Sequence, residues 1–168
     1  MRRLLLLVGL VLAASSGRAQ QPPLHDALLD NLAGHWVITG TIGRAATTHD
    51  LDAEWVLDHH YLRLHEVSRE RDRAGRPLYE AYVHIGWNPA TATYGCAWLD
   101  TFGGLTTESV GAAPRAPDRL AFAFARDGQV TLRNVMTWHA DSRTWDWVIV
   151  NVDGARSSTF ATLVLHRP

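Results

Sequence analysis

The sequence predicts an all-β fold: an up-and-down antiparallel β-barrel of about ten strands, closed at one end by a short N-terminal helix. Three observations predict it. From Trp36 onward, apolar and polar residues alternate with period two. Turn residues recur about every eight to twelve positions, the rhythm of a sandwich or barrel. The clearest helical spacing in the globular part lies just before the alternation begins, and a Gly34-His35-Trp36 step joins the two regimes.

The elements follow in order. Met1-Arg2-Arg3, an apolar run over 4–14 and the small-residue stretch Ser15-Ser16-Gly17-Arg18-Ala19 have the form of a secretory leader cut after Ala19. The run is too short to span a bilayer. The expected product is an exported, periplasmic or secreted protein, with residues 20–168 as one domain. Within 24–33, Leu24, Leu28, Leu29 and Leu32 share a helical face that stops at Gly34. Strands are expected over 35–42, 47–57, 61–70, 77–87, 93–102, 105–112, 119–125, 129–140, 144–152 and 156–166. Asp127-Gly128 and Asp153-Gly154 are hairpin turns, because Gly tolerates the positive φ that such turns demand. Asn88-Pro89 opens another, with Pro presetting φ.

Turn positions predict register. Pairing Asn88 with Thr93 sets Trp87 against Tyr94, Ile85 against Cys96, Val83 against Trp98 and Ala81 against Asp100. A turn at Ala74-Gly75 sets Leu62, Leu64 and Glu66 against Trp87, Ile85 and Val83, and His65 against His84 on the opposite face. A turn at Asp141-Ser142 pairs Trp138 with Trp145, Met136 with Trp147 and Asn134 with Ile149. A three-residue loop ending at Gly128 sets Phe124 against Val130 and Phe122 against Leu132. The inward face is then aromatic and aliphatic, with Glu66, Asp100 and Asn134 as its polar exceptions.

Composition narrows the function classes. Loss of Arg2, Arg3 and Arg18 with the leader would take the formal charge from −1 to −4. A nucleic-acid partner is not expected of such a chain, because that binding needs a basic face. All sixteen basic residues are Arg, so chemistry that requires a lysine is excluded. The lone Cys96 cannot form an internal disulfide. Seven Trp promise a core of large aromatic side chains.

The blocks Leu32-Ala33-Gly34-His35-Trp36, Glu54-Trp55-Val56-Leu57 and Ile85-Gly86-Trp87-Asn88, followed by Tyr94 and Trp98-Leu99-Asp100, resemble the uncharacterised bacterial domain-of-unknown-function family 1579. The resemblance runs in order along the whole mature chain. It implies a lipocalin-like, calycin-type barrel in an often exported protein, and implies no activity. The Gly-x-Trp start is also distantly similar to the haem-binding nitrobindin barrels, whose last strand carries a ligating histidine. His166 is the residue that similarity would assign.

A buried carboxylate requires a hydrogen-bonded or charged partner, so Glu66 and Asp100 either meet a structural partner such as Arg or face a ligand. A pocket wall is mostly apolar with few convergent polar groups. By that standard the candidate ligand-binding residues are Glu66, Tyr94, Trp98, Asp100, Asn134, Trp138 and Trp147. The leading expectation is a small apolar or amphipathic ligand inside the barrel, with no catalytic residue, metal set or cofactor assigned. One alternative is an enzyme using Asp100 or Glu66 as general acid or base. The other is haem or metal binding through His166.

Overall fold

The computed structural model describes residues 21–168; the expected leader, 1–19, lies outside the described residues. The chain forms one short α-helix, α1 (Ala27–Leu32), followed by β1 (Gly34–Ile42), β2 (Ala45–Val56), β3 (Tyr61–Ser68), β4 (Glu80–Asn88), β5 (Thr93–Asp100), β6 (Val110–Pro114), β7 (Arg119–Arg126), β8 (Gln129–His139), β9 (Thr144–Asp153) and β10 (Arg156–His166). Consecutive strands pair antiparallel, and β1 pairs with β10 to close the cylinder. The expected ten-stranded up-and-down barrel is therefore the fold. Closure leaves no sheet edge unpaired.

Burial alternates along the strands as the period-two pattern requires. On β3, Leu62, Leu64, Glu66 and Ser68 point inward, and on β10 Ala161, Leu163 and Leu165 do. The expected pairings of β4 with β5 and of β8 with β9 are those observed. Two other registers differ from expectation. Leu62, Leu64 and Glu66 face Ile85, Val83 and Ala81, two positions along from the expected partners. Here the hairpin tip is not a two-residue turn: Asp72 closes it by accepting from the Ala74 and Arg76 N–H groups, and Arg71 bridges to Pro77 with an irregularity behind it. A two-residue shift keeps the same face inward, so the core set is unchanged. His65 and His84, however, are not opposite each other; His65 faces Tyr82 and His84 faces Arg63. Likewise a bulge between Phe124 and Ala125 sets Phe124 against Leu132 and Phe122 against Asn134.

The helix is shorter than expected because Asp26 caps it, accepting from the N–H groups of Leu28 at 3.1 Å and Leu29 at 3.2 Å. Leu28, Leu29 and Leu32 bury the apolar face of α1 in the barrel mouth beneath them. Trp36 is 1% exposed and donates its indole N–H to the Leu32 carbonyl at 2.7 Å. The Arg167 guanidinium lies 3.7 Å from the Trp36 ring centroid and donates to the carbonyls of Ala33 and His35. It thereby satisfies the Ala33 acceptor just past the helix end and ties it to the start of β1 at His35. Gly34 has φ +113°, and a Cβ there would collide with that guanidinium. Trp36, Trp138 and Trp145 meet in tilted and edge-on contacts and fill the closed end.

Asp26 also ties the plug to the wall. Its second oxygen accepts from the Tyr94 hydroxyl at 2.6 Å and from the Arg115 guanidinium. Burial pushes the Asp26 carboxyl up, but the bonds from Tyr94, Arg115 and the Leu29 N–H outweigh it and hold the group below its ordinary value of 3.8. The unfolded chain therefore binds a proton that the native state does not. Stability is fully present above the ordinary value and is lost as pH falls through the native one. In urea titrations, Asp26→Ala is expected to cost about 3 kcal/mol at pH 7, from the lost cap and the orphaned Tyr94 hydroxyl. Asp26→Asn should flatten the loss of stability expected of the native protein below about pH 4.

Candidate ligand cavity

With one end plugged, the other remains open. A cavity of about 880 Å³ lies at that end. Ile42, Phe124, Leu132, Ile149 and Leu163 supply its apolar wall, and Trp98 and Trp147 stand side by side at its base with ring centroids 5.9 Å apart. Directly below, Leu64, Val83, Ile85, Phe122 and Met136 pack so closely that a residual void of only about 10 Å³ remains. The cavity is thus confined to the upper tier of the barrel. Large side chains fill the lower tier, whereas the open end is lined by Ala45, Ala46, Gly103 and Gly104 together with the exposed Leu78, Phe102, Leu105 and Phe160.

The loop between β5 and β6 forms part of that mouth. Residues expected to begin a strand at 105 instead make a 3-10 turn, Thr107–Ser109, and β6 starts only at Val110. Gly103 and Gly104, with φ of +72° and +85°, turn the chain out of β5. Glu108 anchors the turn by accepting from Arg126 and from the Thr131 hydroxyl at 3.0 Å. Gly111 sits beneath the Phe124 ring, where a Cβ would come within 2.8 Å of it.

A connected set of polar groups crosses the cavity wall. Glu66, 3% exposed, meets His49, 1% exposed, with Oε1 and Nδ1 2.5 Å apart. Leu51 faces Glu66 and His49 faces Ser68, so the pair is a diagonal cross-strand contact. Thr47 donates its single hydroxyl proton to Glu70 at 3.1 Å. The Nε2 of His49, 2.8 Å from the Thr47 oxygen, must then be the donor in that contact. Both ring nitrogens are consequently engaged, and one proton lies between Nδ1 and the Glu66 carboxylate. Burial pushes the Glu70 carboxyl up, but bonds from its own N–H, the Thr48 N–H and the Thr47 hydroxyl, with the field of His49, hold it below its ordinary value. Tyr79 stacks on His49 with centroids 5.7 Å apart and accepts from the Trp98 indole N–H at 3.1 Å. Burial, and then the charges of Glu66 and Asp100, push the Tyr79 phenol well above its ordinary value, so it stays a donor. Trp147 donates its indole N–H to the Asn134 side-chain oxygen.

Of the seven candidate residues, the structure gathers Glu66, Trp98, Asp100, Asn134 and Trp147 around the cavity. Tyr94 and Trp138 do not join them. Tyr94 lies at the closed end, its hydroxyl on Asp26 and its pKa pushed up to about 12 by burial and then by Asp26. Trp138 packs between Trp36 and Trp145 in the floor. The partner of Glu66 is a histidine rather than an arginine; Arg63 instead pairs with Glu54 on the outer surface. Asp100 stands at the upper edge of the wall and accepts from the Phe102 N–H at 2.9 Å.

His49, Tyr79 and Glu70 were missed, although the signal existed for all three: Glu70 lies four positions after the inward Glu66 in the strand expected over 61–70. His49 lies two positions before the inward Leu51, and Tyr79 two before the inward Ala81. Period-two parity alone assigns all three to the interior.

The remaining chemistry is sparse. His166 points away from the interior, since Ala161, Leu163 and Leu165 are the inward residues of β10, and its Nδ1 lies 3.1 Å from the Arg167 carbonyl. Among the described residues, no three His, Cys, Asp or Glu side chains are placed to hold a metal ion. Burial pushes the Cys96 thiol up to about 12, which keeps it protonated and unreactive. No protein-family model matches the chain, and no curated protein does.

Removing one member of a buried charged pair strands the other. His49→Leu and Glu66→Leu are each expected to lose about 3 to 5 kcal/mol of unfolding free energy, while the double variant loses less than either. Additive losses would show that the pair is not coupled.

Proposed function

We propose that the protein binds a small apolar or amphipathic molecule in the open tier of a lipocalin-like barrel. The observation that carries this reading is the cavity of about 880 Å³, whose apolar wall encloses a few convergent polar groups. That combination is how proteins hold small molecules, since apolar area supplies affinity and a few polar groups fix orientation. Ligand binding also accounts for the neighbouring void being closed while this one is open.

An enzymatic reading draws on the buried Glu66 and His49 pair. Against it, His49 has no free ring nitrogen to abstract a proton, because Thr47 and Glu66 occupy both. The haem reading through His166 would need that side chain inside the barrel. The leader-like start of the chain supports export, and the order of the Gly-x-Trp and Trp-bearing blocks supports kinship with family 1579. Recovery of a processed protein whose first residue is Gln20 would test the first of these.

Binding is measured directly with Nile red, a neutral lipophilic dye. Saturable one-to-one binding, with quenching of Trp98 and Trp147 emission, is the expected result. Ala45→Trp narrows the mouth and should abolish it, while shifting stability by only about 0.5 kcal/mol, as surface substitutions do. Dye binding that survives this substitution would place the ligand elsewhere.

A further inference from the structure

The cavity has a sign. Its lining includes four carboxylates, from Glu66, Glu70, Asp100 and Glu108, with His49 as the one basic side chain and no arginine. This is notable in a chain with so many arginines, all of which among the described residues lie outside the cavity lining. Two of the carboxylates are compensated, Glu66 by the proton it shares with His49 and Glu108 by Arg126. Among the described residues, Glu70 and Asp100 have no basic partner within ion-pair distance. The wall therefore carries net negative charge in a partly enclosed space, where water screens it less than at an open surface.

The indole and imidazole donors that would welcome an anion are already spent, which leaves neutral donors such as the Tyr79 hydroxyl and the Asn134 amide. The indole N–H of Trp98 goes to Tyr79, that of Trp147 goes to Asn134, and both nitrogens of His49 are occupied. The acceptor side is not spent. Among the described residues the second oxygen of Glu66 has no hydrogen-bond partner, although the side chain is 3% exposed and lines the cavity. Glu66 and Asp100 also share one row of the sheet, each directly opposite Ala81. Two strand spacings, about 10 Å, separate their backbones, with only a methyl group between them. Trp98, Trp147, Phe124 and Tyr79 surround this row with aromatic rings, which attract cations through their π faces.

We propose that the ligand is an organic cation, a primary or secondary amine with an apolar body, whose ammonium group seats between Glu66 and Asp100 beside Trp98. The inference rests on the reading that the open tier binds a small molecule, and it excludes fatty-acid anions and phosphate esters from that site. The apolar body of the amine lies against Leu132, Ile149 and Leu163.

The test compares octylamine, 1-octanol and octanoate, which share an eight-carbon skeleton and carry different head groups, by titration of intrinsic fluorescence and by calorimetry at pH 7. Octylamine is expected to bind about tenfold or more tightly than octanol, as a charge-assisted contact requires, and octanoate not at all. Asp100→Asn, at the rim, and Glu66→Gln, which keeps an acceptor for His49, should each reduce the amine-to-alcohol affinity ratio. Because Asp100 bears no part of the core, that variant reports even if Glu66→Gln fails to fold. Octanol or octanoate binding as well as octylamine would overturn the proposal, as would an unchanged ratio in Asp100→Asn. If Nile red binds and none of the three compounds does, the amine assignment fails and the ligand-binding reading stands. If Nile red also fails to bind, both are overturned.

Discussion

A sheet of ten strands that closes on itself has a circumference its own side chains cannot fill throughout, and every other feature of this molecule answers to that constraint. Closure gives every strand two neighbours, with β1 and β10 pairing as the last seam. It also creates an interior that must be packed, plugged or left open. At one end the chain packs it, with Trp36, Trp138, Trp145 and Tyr94, and covers it with α1. At the other end the wall is left unplugged and the interior stays open to the outside.

The two ends divide the polar groups as well. Asp26 sits in the plug with its oxygens bonded to the helix N–H groups, Tyr94 and Arg115, so its charge is used up in holding the plug to the wall. Glu66 is just as buried but half used. One oxygen answers His49, and the other faces the cavity. Two acids of similar burial thus differ in how many partners the fold gives them. The number of bonding partners each finds, rather than its depth, separates a fully satisfied carboxylate from one with a free acceptor.

Much of this was legible in the sequence. Alternation from Trp36 onward gave all ten strands, and the Asn88-Pro89 and Asp141-Ser142 turns gave two registers correctly. Registers that depended on Ala74-Gly75 and Gly128 went astray by two positions each, because the Asp72-closed tip and the bulge after Phe124 are irregularities that pattern cannot see. Inward parity survived both errors, which is why Glu66, Trp98, Asp100, Asn134 and Trp147 were found. Parity could not say how high along the barrel a residue lies. Tyr94 and Trp138 share the inward face with Trp98 and Trp147 but sit at the floor, and height depends on strand tilt and stagger, which arise only when the sheet closes. The cap made by Asp26 is local, but its bonds to Tyr94 and Arg115 were invisible for a related reason: those partners lie far along the chain.

The seam between β1 and β10 has a kinetic meaning. It joins the first strand of the chain to the last, so no partial chain lacking β10 can complete the cylinder. Until that strand arrives, β1 and β9 each present an unpaired edge, and the β1 sequence His35-Trp36-Val37-Ile38-Thr39 is rich in residues that favour strands. Folding must wait on the most distant contact in the molecule, which makes it slow and leaves a template for pairing with a neighbouring copy while it waits. The same bond ladder that removes every edge from the finished protein is therefore what exposes two of them during its assembly.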